Sequence, residues 1–459
     1  MADPFTVLIM AAGQGTRMHS SLPKVLHPLS GRPMVQWVIA AAREAGADRV
    51  ICVTRPGDGV SEGLPDDVQI VEQLEGEGTG AAVLAARDAL DPDVPVAILS
   101  GDHPLISRDT VAELLASHVR ERAAVTMLTT TELDPSGYGR IVRTPDGSVD
   151  RIVETKSTEG VPDEVLAIHE INIGAYAFDA GELMSALEEV ELERGERYLT
   201  GTIPLLRSRS RHVAAHATGD VLSAMVVNTR LDLMEAERLA QRQILAAHAL
   251  AGVTFLSPET TRVEITVEIG PDTTIGPGVA LHGTTRVGSG AEIGPHTTAV
   301  DAVIGDGVTV RHSYLSESEV RDGASVGPFS FLRPGAVVGE EAKVGAFVEI
   351  KNAEIGRGAK VPHLSYIGDA DIGEEANVAA GNITANYDGR EKHRTVIGKR
   401  AKTGVNTSFV APVAVGDRAY TGAGSVITED VPDGALGISR PQQENVEGYA
   451  ERVEKESER

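Results

Sequence analysis

Ile269-Gly270-Pro271-Asp272-Thr273-Thr274-Ile275-Gly276 opens a run in which an aliphatic residue, usually followed by Gly or another small residue, recurs every six positions. The register passes through Leu281, Val287, Ile293, Ile304, Val310, Val320, Val326, Leu332, Val338, Val344 and Ile350. It goes on through Ile355, Val361, Ile367, Ile372, Val378, Ile397, Phe409, Val415 and Ile427, with one longer interruption from Asn386 to Thr395. A period of six fits neither a helix nor a plainly alternating strand. It predicts a parallel β-helix whose coil has three flat faces, with the aliphatic residues pointing into a narrow prism and Gly at the turns.

Toward the N-terminus the pattern changes. Thr6–Ala11 and Arg49–Thr54 are strand-like, Met34–Ala45 is helical, Gly80–Leu90 reads as helix, Val94–Ser100 as strand and Arg108–Glu121 as helix. That alternation predicts an α/β domain on a mostly parallel sheet. Ala224-Met225-Val226-Val227 reads as its last strand. Leu231, Met234, Leu239, Ile244 and Leu245 stand at helical spacing and predict a helix joining the two parts. The expected organisation is an α/β domain over 1–228, a linker helix over 229–252, a β-helix over 253–440 and a charged tail over 441–459, frayed from Glu451.

Composition agrees. Of 459 residues 41% are apolar but only 3% aromatic, and 28 of the 49 glycines lie from Val253 onward, so the glycine excess belongs to the repeat. Lys plus Arg number 42 against 67 Asp plus Glu, a net charge of −25. Such acidity opposes general binding to nucleic acid or insertion at an anionic membrane, yet leaves room for a phosphorylated substrate in a local basic pocket. Cys52 is the one cysteine and sits in an apolar run, so a buried strand thiol is expected and an intrachain disulfide is excluded. No apolar stretch is long enough to span a bilayer and no signal peptide is evident, which predicts a cytoplasmic protein.

Met10-Ala11-Ala12-Gly13-Gln14-Gly15-Thr16-Arg17-Met18 follows the first strand, where open α/β sheets bind ligands. It lacks the Lys-Ser/Thr of a Walker A loop and the third Gly of a dinucleotide fingerprint. Its glycines let backbone N–H groups approach phosphate oxygens, and Arg17 and Lys24 add charge for a triphosphate. Asp102 stands at the carboxyl end of a strand, where a carboxylate holds Mg²⁺ against nucleotide phosphates or merely caps a turn. Asn228, at the end of the Ala224–Val227 strand, offers a second oxygen. Gly137-Tyr138-Gly139-Arg140, Glu154-Thr155-Lys156, Glu170-Ile171-Asn172-Ile173-Gly174 and Tyr198-Leu199-Thr200 read by themselves as loops or strand edges.

From Met10 through Leu22-Pro23-Lys24-Val25-Leu26 the chain resembles the sugar-phosphate nucleotidyltransferase signature. Phe331-Leu332-Arg333-Pro334-Gly335, Tyr366-Ile367-Gly368-Asp369-Ala370 and Asn386-Tyr387-Asp388-Gly389 narrow the likeness. From Leu8 to about Gln442 the sequence is similar to the bacterial bifunctional N-acetylglucosamine-1-phosphate uridyltransferase/glucosamine-1-phosphate acetyltransferases. The resemblance implies a Rossmann-like α/β nucleotidyltransferase domain followed by a left-handed parallel β-helix of hexapeptide repeats, assembled as a homotrimer through the β-helix. It implies acetyl transfer from acetyl-CoA to glucosamine-1-phosphate, then uridylyl transfer from UTP with Mg²⁺, giving UDP-N-acetylglucosamine for peptidoglycan.

By the same resemblance, Gly13, Arg17, Lys24, Gln73, Gly78, Thr79, Gly139, Glu154, Asn172 and Asn228 bind UTP and the sugar nucleotide, with Asp102 and Asn228 on the metal. His363 is the acetyl-transfer base. Arg333, Lys351, Tyr366, Asn377 and Lys392 take glucosamine-1-phosphate. Ala380, Asn386, Tyr387, Val405, Ala423 and Arg440 lie near acetyl-CoA, Val405 standing where the family has Ser. Two other readings remain: a monofunctional sugar-1-phosphate nucleotidyltransferase with a structural β-helix, and a non-catalytic oligomeric binding protein. His363 with the Asn386-Tyr387 loop argues against the first; Asp102, Asn228, Arg17 and Lys24 together argue against the second.

Overall fold

The computed structural model describes residues 4–155, 158–193 and 195–457, so Lys156 of the Glu154-Thr155-Lys156 motif lies outside the described residues. Two compact units divide the chain, Met1–Arg242 and Gln243–Arg459.

In the first unit the strands of the large sheet are β1 (Thr6–Met10), β2 (Arg49–Thr54), β3 (Gln69–Glu72), β4 (Val96–Ser100), β5 (Val125–Thr130), β6 (Arg140–Arg143), β7 (Val149–Val153), β8 (Ile171–Phe178) and β9 (Val213–Ala217). The main sheet runs β9-β5-β8-β4-β1-β2-β3. Pairing is parallel among β4, β1, β2 and β3 and between β5 and β9, while β8 runs antiparallel to both neighbours. β1 is apolar from Val7 to Met10 because both faces are covered. Val7 and Ile9 pack with Val35, Val38, Ile39, Val111 and Leu114 on one side. Leu8 packs with Val83, Ile98, Leu183 and Ile203 on the other. Cys52 is buried on β2, and that burial pushes its thiol pKa up to about 12.

Three expectations change. Gly80–Leu90 is a helix only over Thr79–Ala85; the amide of Ala86 turns back to Val83 O, and a 3-10 turn, Arg87–Ala89, follows. Ala224–Val227 is not a strand. A 3-10 turn, Val221–Ala224, leads into irregular chain whose Val227 N–H bonds Asp102 O, so the segment crosses the carboxyl end of β4 rather than joining the sheet. The terminal segment expected to fray from Glu451 contains a helix, Tyr449–Ser457, with no buried side chain. The expected joining helix is observed over Arg230–Leu250.

The second unit is the left-handed β-helix. Its short strands form three parallel sheets of seven, ten and nine strands, each strand pairing with the one a full coil away. One inward column reads Ile275, Ile293, Val310, Val326, Val344, Val361 in register. Every aliphatic residue of the six-residue register is buried. The structure adds a second inward position, two residues before the aliphatic one, held by small side chains such as Thr273, Ala291, Ala324 and Ala342. Among the described residues no helix is long and apolar enough to cross a membrane.

Candidate active sites

Loops at the carboxyl ends of β1, β2, β3 and β4, together with residues of β8 and the β6–β7 region, enclose a cavity of about 800 Å³. Every residue expected in the nucleotide site lines it: Gly13, Arg17, Lys24, Gln73, Gly78, Thr79, Asp102, Gly139, Glu154, Asn172 and Asn228. The glycine loop owes its shape to Gly15, at φ +60°, where a Cβ would meet Lys24 Cβ at 2.6 Å. Gly13 differs: a Cβ there would touch nothing within 4 Å, so its bareness leaves room in the cavity. Gly78, at φ +96°, brings its loop against Arg197 O, 2.5 Å from where a Cβ would stand. Thr79 accepts Leu199 N–H at 3.0 Å, which ties the Tyr198-Leu199-Thr200 stretch to the same wall.

Charge concentrates at one end. Lys24 Nζ bonds both the Asp102 carboxylate and Asn228 Oδ1, the latter at 3.2 Å, and Arg17 donates to Asn228 Oδ1 at 2.9 Å. Asn228 is placed by a capping box at the start of the helix Arg230–Leu250. Thr229 Oγ1 accepts Asp232 N–H, and the Asp232 carboxylate accepts the N–H groups of Asn228 and Thr229. Burial alone would raise the Asp102 carboxyl, but Lys24, His103 and hydrogen bonds from Lys24 and Ser100 outweigh it and hold the group below the usual carboxylate range. Two hard oxygens therefore converge on one cation, here the Lys24 ammonium. That donor set suits Mg²⁺, which takes one or two protein oxygens and completes its shell with phosphate and water. Among the described residues no cluster of three His, Cys, Asp or Glu offers a full protein cage.

The opposite end carries two carboxylates, Glu154 and Glu196, and no cation of the Arg17–Lys24 cluster. β8 carries a bulge after Asn172, with Gly174 at φ +89°, and this swings Asn172 into the cavity. Asn172 Nδ2 donates to the Tyr176 hydroxyl at 2.7 Å. A Cβ on Gly139 would stand 2.8 Å from Ile152 and 3.5 Å from Glu154 Oε1. The buried Arg140 holds the loop before it by bonds to Pro135 O, Tyr138 O and Thr155 Oγ1. The cavity also includes Arg55, Glu77, His103 and Tyr176, which the sequence reading missed. Only Arg55 carried a usable signal, as the first residue beyond a strand on the ligand-binding edge.

On the β-helix the expected residues fall into two groups. In one, Leu332 pairs with Ile350, which sets Arg333 beside Lys351 on adjacent coils. Gly368, next in the column, is bare, and the Tyr366 ring lies over it. The interrupting loop returns here: Asn386 Nδ2 donates to the Asp369 carboxylate and Tyr387 bridges Lys392. Lys392 lies against Lys351, whose hydrogen bond and charge lower its pKa. Arg333 is paired with Glu349 at 2.8 Å.

The second group follows a different corner. Gly381 N–H bonds His363 O, Asn406 N–H bonds Ala380 O, Gly424 N–H bonds Val405 O, and Arg440 Nη1 donates to Ala423 O at 3.1 Å. Asn377 sits between Lys360 and Lys402 on the face leading to that corner. The His363 side chain is exposed. Among the described residues no hydrogen bond or ion pair joins the two groups. Asn386 and Tyr387, expected near acetyl-CoA, stand in the first group.

A glycine-loop cavity on an α/β sheet, followed by a hexapeptide β-helix, defines a two-part transferase of the sugar-phosphate nucleotidyltransferase class. Residues 7–210 match the family model described as a MobA-like NTP transferase domain. "Bifunctional protein GlmU" of Mycobacterium bovis (strain BCG / Pasteur 1173P2) is 46% identical over 458 residues, covering 97% of this chain and 92% of that protein. The protein of the same name from Mycolicibacterium paratuberculosis (strain ATCC BAA-968 / K-10) is 46% identical over 461 residues, covering 97% and 93%. The chain belongs to this bifunctional GlmU family, the uridylyltransferase/acetyltransferases that the sequence resembles.

Proposed function

We propose that the cavity of the first unit is the uridylyl-transfer site and that the β-helix corners carry acetyl transfer. In the cavity, a phosphate oxygen of N-acetylglucosamine-1-phosphate attacks the α-phosphorus of UTP; the new P–O bond forms as the bond to pyrophosphate breaks. Positioning and charge neutralisation are the protein's main contributions. Arg17 and Lys24 offset phosphate charge, the loop at Gly13 gives backbone N–H groups, Gln73, Gly78 and Thr79 read the base, and Gly139, Glu154 and Asn172 hold the sugar. Asp102 and Asn228 would hold Mg²⁺, which when bound neutralises and orients phosphate oxygens. The convergence of all these side chains on one cavity is the observation that carries the reading.

For acetyl transfer, the amine of glucosamine-1-phosphate attacks the thioester of acetyl-CoA, His363 takes the amine proton, and CoA leaves as its thiol. Arg333, Lys351 and Lys392 hold the phosphate, with Tyr366 and Asn377 around the sugar. Ala380, Val405, Ala423 and Arg440 follow the acetyl-CoA, and Asn386 with Tyr387 closes the site. We propose a homotrimer through the β-helix, in which one copy's first group faces another's second. A column of side chains supports a protein partner there: His296, His312, Phe329 and Phe347 follow one another with ring centroids 5.4, 5.3 and 5.2 Å apart, the two phenylalanines stacked and the other pairs tilted. Phe329, Phe347 and Leu364 are 55, 58 and 62% exposed.

The test supplies glucosamine-1-phosphate, acetyl-CoA, UTP and Mg²⁺ and follows free thiol and pyrophosphate separately. Asp102→Ala is expected to abolish pyrophosphate release and spare acetyl transfer; His363→Ala is expected to do the reverse, by roughly 10²–10⁴-fold. Loss of both activities in either folded variant would sink the two-site reading.

A further inference from the structure

β1, β2 and β3 are consecutive neighbours in the sheet, so the loops beyond them lie side by side. The first is the glycine loop and the third carries Gln73 and Gly78. Between them Arg55 begins the loop after β2. That loop is built rigidly: the Asp58 carboxylate accepts Arg55 N–H at 3.0 Å and Val60 N–H at 2.8 Å, and Val60 is buried in the core.

From this fixed base the Arg55 guanidinium reaches both neighbours. Nε donates to Ala12 O of the glycine loop at 2.7 Å. Nη1 and Nη2 grip the two oxygens of Glu77 in the fork geometry that suits a carboxylate. The third loop needs such an anchor. Leu74 is 75% exposed, and Glu75, Gly76 and Glu77 are exposed, so no apolar contact of theirs fixes it. Backbone bonds hold its ends, Gln73 N–H to Thr54 O at 2.8 Å and Ala82 N–H to Gly78 O at 3.2 Å. Between them the other ties are Gln73 Nε2 to Gly76 O at 2.9 Å and Arg197 N–H to Glu77 O at 2.8 Å.

We propose that Arg55 and Glu77 are positioning residues for uridylyl transfer: one guanidinium on the middle loop holds the phosphate-cradling loop and the base-reading loop at a fixed separation. The inference rests on the assignment of UTP to this cavity. It also separates two roles for Arg55. As a clamp, it works through its bond to Glu77. As a direct phosphate ligand, it would be held back by Glu77, and removing that carboxylate's charge would improve UTP binding.

The experiment uses the full chain with UTP, N-acetylglucosamine-1-phosphate and Mg²⁺, measuring KM and kcat for Glu77→Gln, Arg55→Met, Arg55→Lys and the double variant Arg55→Met/Glu77→Gln. The clamp predicts that Glu77→Gln raises the KM for UTP roughly tenfold, with kcat within about twofold and the KM for the sugar phosphate unmoved. Arg55→Lys, which keeps the charge but cannot span both loops, is expected to behave like Arg55→Met. The double variant is expected to be no worse than Arg55→Met alone. Thermal unfolding of the same samples, with the transition of the first unit unmoved, reports that this unit is folded. An unchanged or lowered KM for UTP in Glu77→Gln overturns the clamp, as does Arg55→Lys matching the unaltered protein. Asp102→Ala separates the failures. If it spares uridylyl transfer, the site assignment fails; if it abolishes transfer while Glu77→Gln changes nothing, only the clamp fails.

Discussion

The two units build their candidate phosphate sites by opposite constructions. In the α/β unit, residues from Gly13 to Asn228 are brought to one concave cavity by loops at strand ends. On the β-helix, the six-residue period fixes columns along the outside of a prism, so candidate residues are displayed rather than enclosed. Both nonetheless use one motif: a mostly buried carboxylate kept ionised among lysines, Asp102 beside Lys24 and Asp369 beside Lys351 and Lys392. A loop-built site makes its own concavity; a solenoid has to obtain it from an inserted loop or a neighbouring copy.

The sharpest way to break this contrast is to add one methyl group in each region. In the β-helix, a Cβ on Gly345 would stand 2.0 Å from Pro362 O on the next coil, backbone that the ladder cannot move cheaply. Gly345→Ala is expected to destabilise the unit by about 3 kcal/mol, read as a lowered Tm together with reduced acetyl transfer. Gly13→Ala meets nothing within 4 Å. It is expected to leave Tm unchanged while raising the KM for UTP roughly tenfold, since the methyl takes space needed by a phosphate. Equal losses of Tm would mean that the glycine loop is as tightly packed as the coil.

What could be read in advance follows the same division. The inward face of the β-helix was legible because each coil repeats one constraint, and every position of the six-residue register from Ile269 to Ile427 is buried. Asn228 reaches the cavity by a route other than the expected one: no strand leads to it, and a capping box with Asp232 does the positioning. Local apolar pattern could not distinguish a strand from an extended crossing segment. Arg55 and Glu77 went unread because their partnership spans two loops, and neither residue type nor spacing signals it. The split of the candidate acetyl-transfer residues into two groups was likewise invisible, because a period assigns a residue to a column without saying what faces that column.

A smaller effect tests the carboxylate shared by both regions. Burial alone would raise the Asp369 carboxyl, but hydrogen bonds from Asn352 and Asn386 and the charges of Lys351 and Lys392 hold it below the usual range. A depressed folded value contributes stability above the unfolded pKa of about 3.9, and that contribution is lost as pH falls through the folded value. Asp369→Asn is therefore expected to lower Tm at pH 7, with the gap to the unaltered chain steady down to about pH 4 and closing below it. Thermal unfolding across that range checks it; a gap that widened on acidification would reverse the sign and remove the lysine pairing as its cause.

The smallest effect concerns Val405. It lies in the column between Ala380 and Ala423, is 47% exposed, and has its backbone oxygen occupied by Gly424 N–H. A valine there supplies no hydrogen-bond donor, whereas the family residue is Ser. If the thioester passes this column, Val405→Ser places a hydroxyl where negative charge develops on the carbonyl oxygen. An established oxyanion donor is worth about 10²–10³ in kcat, but a hydroxyl introduced without supporting contacts is not preorganised, so a gain of roughly two- to tenfold in acetyl transfer is expected. Tm and uridylyl transfer should not move, because a half-exposed side chain on the other unit is exchanged for one that fits the same space. An unchanged acetyl-transfer rate would assign oxyanion stabilisation to backbone N–H groups or Asn386 and leave the column only the task of lying along the acyl carrier.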